Sequence, residues 1–298
     1  MKSLIILLVT VLFPFFISAQ TVSPEVISSS GDYFEGANGS LSWTLGEIAT
    51  ETFSSGNIIL TQGFQQPITV TLAGIDLDVL VYLEGPYEGT EMNTDLNDAG
   101  EIPLIQPYSV SPWNYPGTES VVSIPNPDVV DWVLIELRDA TNAASATGST
   151  RIAQQAGFLM YDGSVVGTDG FSNLQFSTSF TNGLYVIVWH RNHLGVLSAT
   201  ALTQTAGVYS YDFSTSLSQA HGGGAGYKLV EASVYGMPGG DVDGDGDIDA
   251  TDKAAWTANA GTEGGYQPAD FNMDNQVNNP DKNDTWVENT SLTDQVPD

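Results

Sequence analysis

Val129-Val130-Asp131-Trp132-Val133-Leu134-Ile135-Glu136-Leu137 is the stretch that decides the fold class. Side chains of a strand alternate between two faces, and here both alternating sets are apolar except for Asp131 and Glu136. A strand with one solvated face would carry a polar residue at every second position. This one therefore predicts an interior strand, covered on both sides, of a two-sheet sandwich. Runs rich in Val, Ile, Leu and aromatics recur at 79–83, 157–161, 184–189 and 227–234, bounded by Gly, Pro and Asn. Helical periods of 3.6 are scarce among them. Asp162-Gly163, set between Tyr161 and Val165, predicts a hairpin with a type I′ turn. The expected fold is mainly β, with a β-sandwich (Ig-like or jelly-roll) over 68–238.

Upstream, 20–67 reads as a small β module with strand-like runs at 41–45, 47–53 and 58–64, closed by Gln65-Gln66-Pro67 as a linker. Residues 1–19 have one Lys, an apolar run and Ser18-Ala19, the pattern of a signal peptide cleaved after Ala19. The run is short for a bilayer span and contains Pro14, and no later run approaches eighteen apolar residues, so no membrane insertion is expected after cleavage. The chain has no cysteine, which removes disulfides, thiolate nucleophiles and a lipid-modified cysteine. With 36 Asp and Glu against 7 Lys and Arg, the net charge of −29 repels nucleic acid and anionic membranes.

Downstream of Gly236–Gly240 the composition changes and acids gather, six of them between Asp241 and Asp252. Their spacing carries more than their number. Ca²⁺ takes six to eight oxygens, and a twelve-residue loop of the EF-hand type supplies them from side chains at positions 1, 3, 5, 9 and 12 and a carbonyl at position 7. Asp241, Asp243, Asp245, Asp249 and Asp252 fill the side-chain positions, and Asp247 provides the carbonyl. Gly246 stands at position 6, where the turn is left-handed, and Ile248 at position 8 is the apolar anchor between paired loops. A second copy places Asp270, Asn272, Asp274, Asn278 and Asp281 at the side-chain positions, Gln276 at the carbonyl, Asn275 at position 6 and Val277 opposite Ile248. With three carboxylates in place of five, this loop is expected to bind Ca²⁺ more weakly. Two Ca²⁺ sites are thus expected, the first stronger.

The sequence after each loop repeats as well. Asp252-Lys253-Ala254-Ala255-Trp256 matches Asp281-Lys282-Asn283-Asp284-Thr285-Trp286 with one inserted residue, so 239–298 reads as a duplicated loop and short helix, with Trp256 and Trp286 as its core. This arrangement resembles the dockerin type I module, which pairs two such segments and uses Asp at position 12. The resemblance implies an α-helical calcium-binding module. In cellulosomal dockerins a polar pair at loop positions 10 and 11 recognises cohesin; here those positions hold Ala250 and Thr251, then Asn279 and Pro280, and Thr251 alone fits. Five ligand carboxylates in twelve residues repel one another, so metal binding is expected to drive folding of the segment.

Other constellations are weaker. His190-Arg191-Asn192-His193 reads as a polar turn at a strand end, with a zinc site requiring Asp212 or His221 as the alternative. His221-Gly222-Gly223-Gly224-Ala225-Gly226 suggests an oxyanion loop, yet no G-x-S-x-G elbow accompanies it, and a hairpin loop is expected. Glu84, Glu88, Glu91, Glu101, Glu119, Asp131 and Glu136 contain no pair whose separation the sequence reveals.

The stretches Leu80-Val81-Tyr82-Leu83-Glu84-Gly85-Pro86-Tyr87, Ser111-Pro112-Trp113-Asn114-Tyr115, 131–139 and 190–195 resemble a β-rich region of large surface proteins from bacteria that use type IX secretion. Leu41-Ser42-Trp43-Thr44-Leu45-Gly46-Glu47 and Thr61-Gln62-Gly63-Phe64 resemble a short module of the same proteins. Members carry a sorting sandwich beyond this point. The resemblance implies a secreted, extracellular or cell-surface protein, with the periplasm as the alternative. The expected function is a non-catalytic calcium-binding protein, adhesin-like or docking a protein partner through its calcium module. The alternative is a component of polysaccharide degradation, in which the sandwich binds a glycan or acts as a glycoside hydrolase.

Overall fold

The computed structural model describes residues 74–298 throughout and, ahead of them, the backbone of four strands: β1 (Ser30–Gly36), β2 (Gly39–Leu45), β3 (Thr52–Ser55) and β4 (Ile58–Thr61). The expected signal peptide, the linker 65–67 and most of the expected strand 47–53 lie outside the described residues. The chain divides into two compact units, Met1–Val70 and Thr71–Asp298. In the first, β1 pairs with β2 and β3 with β4 as antiparallel hairpins.

The second unit is mainly β. Strands β5 (Ile75–Leu80), β6 (Val129–Ala140), β7 (Arg151–Met160), β8 (Val165–Val166), β9 (Leu174–Phe176), β10 (Gly183–Trp189), β11 (Val196–Leu197), β12 (Thr203–Thr205) and β13 (Val208–Asp212) form two sheets. One is antiparallel in the order β11-β10-β6-β7-β8; the other runs β12-β13-β5-β9. Leu77, Val79 and Leu174 of the second sheet share one buried core with Trp132, Phe158 and Val186 of the first. The expected interior strand is there: β6 lies between β10 and β7, and every residue of it except Asp139 is buried. Ala140, at its end, packs in a separate cluster with Tyr185, Ile187 and Leu197, with Trp189 and Val296 against it.

Three local expectations differ. Strand β5 starts at Ile75 rather than 79 and pairs in parallel with β13, a partnership between distant segments that alternation cannot reveal. The hairpin expected at Asp162-Gly163 forms between β7 and β8, but its turn is not type I′: Gly163 has φ +86° while Asp162 keeps a negative φ, and its carboxylate instead accepts hydrogen bonds from the Ser164 N–H and Oγ. The run 227–234 is not one strand but a hairpin, β14 (Lys228–Glu231) with β15 (Val234–Gly236), turning at Ser233 with φ +72°.

The change of composition at 236–240 coincides with no gap in packing. Glu84 accepts hydrogen bonds from Lys228 Nζ (2.5 Å), from the Gly239 N–H (3.1 Å) and from Asn289 Nδ2. Met273 sits in the main core that the two sheets share, and Leu194, between β10 and β11, joins the small core of Ile248, Trp256, Ala269, Phe271, Val277 and Trp286. The loop 221–226 does not join two paired strands: it holds a 3₁₀ turn, Gly223–Ala225, whose Ala225 carbonyl accepts from the Thr293 N–H at 3.3 Å.

Candidate metal centre

The two acidic segments take the same backbone path. Asp241 at position 1 accepts from the Gly246 N–H at 3.2 Å, and Asp270 from the Asn275 N–H at 3.0 Å. Asp245 accepts from the Asp247 N–H and Asp274 from the Gln276 N–H, both at 3.0 Å. At position 12, Asp252 accepts from the N–H groups of Val242 and Asp249, both at 2.7 Å; Asp281 accepts from those of Phe271 and Asn278, both at 2.7 Å. Position 6 is left-handed in both, at φ +88° for Gly246 and φ +68° for Asn275, a conformation Asn tolerates better than most residues.

In the first loop Asp241, Asp243 and Asp252 each offer a carboxylate oxygen, and these oxygens lie within 4.8 Å of one another. Asp241 and Asp252 are buried and Asp243 is exposed. Burial, then the neighbouring Asp252, pushes the Asp241 carboxyl up to about 8. Asp243 and Asp252 are raised as well, chiefly by burial. Asp245 and Asp249 stand outside the converging group. Asp249 caps the following helix, accepting from the Thr251 N–H at 2.6 Å. That leaves it the position-9 role that ligand loops often fill through a water.

The second loop gathers fewer charges. Asp270 is fully buried, and its Oδ1, like Oδ1 of Asn278, has no hydrogen-bond partner. Burial, then Asp281, pushes the Asp270 carboxyl up to about 7. Buried oxygens without donors carry a desolvation cost that a cation removes. Asn272 contributes Oδ1 to the Asp274 N–H at 3.3 Å, and its Nδ2 donates to Asp274 Oδ2 at 3.1 Å. The exposed side chains of Asp247 and Gln276 agree with a backbone role at position 7. An all-oxygen donor set rich in carboxylates suits a hard divalent cation, and the residues present fit Ca²⁺.

Ile248 and Val277 share one small core, but their backbones do not pair with each other. The Ile248 N–H donates to the Leu292 carbonyl, and the Ile248 carbonyl accepts from the Ser291 N–H; Val277 makes the same bonds with the Thr262 carbonyl and the Gly261 N–H. Each loop is therefore zipped to the segment that leaves the other loop's helix. Helix Ala250–Asn259 follows the first loop. After the second, the inserted residue is taken up as a π-helical turn, Asp281–Trp286, leading into Val287–Asn289. Trp286 is thereby returned to the position that Trp256 holds.

His190-Arg191-Asn192-His193 turns out to support the second loop. Asn192 Nδ2 donates to the carbonyls of Pro268 (3.0 Å) and Asp270 (2.8 Å), and Arg191 Nη1 to that of Gln267 (2.6 Å). Arg191 Nε also donates to Asp131 Oδ2 at 2.9 Å, and its guanidinium lies 4.0 Å over the Tyr266 ring, whose hydroxyl donates to Asp131 Oδ1. Against the burial that would raise it, Arg191 and His190 hold the Asp131 carboxyl down to about 2. All four imidazole nitrogens are engaged: His190 Nε2 with Asp131, the two Nδ1 atoms with each other at 3.1 Å, and His193 Nε2 with the Gly85 N–H. No nitrogen is left for zinc, and neither Asp212 nor His221 joins them. Among the carboxylates weighed for glycoside hydrolysis, Asp131 and Glu136 are buried in ion pairs and Glu84 ties down Asn289. Comparison with protein-family models, with curated proteins and with solved structures found no match to this chain.

Proposed function

We propose that the chain is a secreted, non-catalytic calcium-binding protein whose two C-terminal loops each hold one Ca²⁺ and lock that region, as a dockerin-like module, onto a β-sandwich. One observation carries this reading: Asp241, Asp243 and Asp252 bring carboxylate oxygens within 4.8 Å of one another, two of the three residues buried. Such a concentration of desolvated carboxylates is neutralised by protons or by a cation, and their spacing in the loop supports Ca²⁺ as the cation. The second loop repeats the same hydrogen-bond scheme with fewer charges, which supports a weaker site. In this reading the metal does for an exported chain without cysteine what cross-links do elsewhere, and the exposed positions Ala250, Thr251, Asn279 and Pro280 are available to a protein partner.

Calorimetric titration of the EDTA-treated chain with Ca²⁺ tests it. Two binding events are expected, with Asp241→Asn abolishing the tighter and Asp281→Asn the weaker. A flat titration, with circular dichroism and protease resistance unchanged between EDTA and calcium, would sink the proposal.

A further inference from the structure

Between the outer face of the five-stranded sheet and the first loop lies an open cleft of about 440 Å³, within the roughly 300–1,000 Å³ range of small-molecule sites. Its floor is polar and already internally paired. Glu136 accepts from Arg138 Nε at 2.6 Å and from Gln154 Nε2 at 2.8 Å, and Arg151, about half of whose side chain is exposed, approaches at 3.8 Å. Trp113 and Trp189, both half-buried, line the same cleft. Both rings are held in place. Trp113 stands edge-on to the fully buried Tyr108 at 5.1 Å, and Trp189 lies against Gly195, where any Cβ would run into the indole.

We propose that this cleft binds a neutral oligosaccharide. A pyranose ring presents apolar C–H faces, which flat indole rings cover, and a rim of hydroxyls that both donate and accept. The half-exposed Arg151 guanidinium and the part-buried Gln154 carboxamide match that rim, with the buried Glu136 and Arg138 pair holding them from beneath. A purely apolar ligand would strip water from the half-exposed Arg151 guanidinium without repaying it. An anionic sugar meets Asp245 and Asp294 at the edge of the cleft, so charge favours a neutral one.

The first loop supplies one wall. Gly244, at position 4 with φ +70°, approaches so closely that a Cβ would lie 2.9 Å from Pro112 Cγ and 3.1 Å from Trp113 Cη2. A loop held by Ca²⁺ therefore backs Trp113, and loosening it releases that ring. This dependence on calcium rests on the metal reading above; the sugar site itself does not.

The test uses the full chain, with calorimetry and tryptophan fluorescence against cellohexaose, xylohexaose and mannohexaose, and tetragalacturonate as the anionic counterpart. Saturable binding of at least one neutral sugar is expected, weakened about tenfold or more by Trp113→Ala and several-fold by Arg151→Ala, an exposed residue whose loss leaves the fold intact. Three results overturn the site: no saturable binding of any neutral sugar, affinities unmoved in both variants, or tighter binding of tetragalacturonate. EDTA is expected to weaken sugar binding. Undiminished binding in EDTA overturns the calcium-held wall, and a parallel terbium titration shows separately whether the loops bind metal at all.

Discussion

The indole Nε1 of Trp256 donates a hydrogen bond to the carbonyl of Asn278 at 3.0 Å, and Trp286 does the same to the carbonyl of Asp249, also at 3.0 Å. Both acceptors stand at position 9 of the opposite loop. Lys282 lies 4.9 Å from the Trp256 ring and Lys253 5.5 Å from the Trp286 ring, so the crossing is repeated in charge. Each helix therefore holds a ligand position of the other loop, and the two ions should not bind independently.

Trp256→Phe keeps the ring and removes the N–H. The second loop should lose about three- to tenfold in Ca²⁺ affinity, the worth of one hydrogen bond of about 0.5–1.5 kcal/mol, with a smaller change at the first. Terbium luminescence titrations resolve the two steps, and superimposable curves for variant and parent would refute the coupling.

Met273 sits at position 4 of the second loop, strained at φ +59°, with its side chain in the sandwich core. Met273→Ala should destabilise the Thr71–Asp298 unit by about 2–4 kcal/mol through the cavity it leaves, although no ligand is touched. Urea unfolding in calcium measures this, and a loss below about 1 kcal/mol would show that the loop is not anchored there.

Asn192→Ala removes two donors to the backbone of residues 268–270 and should weaken the second site while leaving the first unchanged. Arg191→Ala is harsher, because it leaves the buried Asp131 without its strongest cationic partner, a loss of about 3–5 kcal/mol. Differential scanning calorimetry of both variants should rank them in that order.

Burial lowers the pKa of both His190 and His193; for His190 the Asp131 carboxylate opposes the shift, and for His193 the neighbouring His190 and Arg191 add to it. Asp131, Arg191 and Tyr266 are the other titratable groups facing the pair. Folded values below the unfolded 6.5 mean that the unfolded chain binds more protons as pH falls. Stability should therefore be full above pH 6.5 and decline as the pH drops beneath it. Asp131 adds a second loss lower down, as the pH falls from 3.8 towards its folded value of about 2. Proton NMR of the imidazole Cε1–H signals checks this; a midpoint at or above 6.5 for either ring would contradict it.

The common backbone path of the two loops was legible because its hydrogen-bonding residues recur at fixed spacing, Asp241 and Asp252 in one and Asp270 and Asp281 in the other. The interior position of β6 was legible for a similar reason, since burial on both faces leaves apolar residues in both alternating sets. The docking was hidden. Nothing local announces that Asn192 will hold Asp270, because each residue makes chemical sense alone as a turn or a ligand. A signal did exist in the pairing of two oddities: an Asp inside the most apolar strand, and four donors in a row directly after another such strand. At Asp162-Gly163 the hairpin was legible and the turn type was not, because Asp offers its own side chain as an alternative to positive φ.

Glu84 meets Asn289 across 205 positions, and Asp131 meets Tyr266 across 135. A chain made from its N-terminus exposes these carboxylates long before their partners exist, and contacts that close such long loops form late. The two sheets consequently lack these partners until Tyr266 and Asn289 arrive. If the loops hold Ca²⁺ as proposed, the ion would act on this last step, and would bear on when the protein is complete as well as on how stable it is.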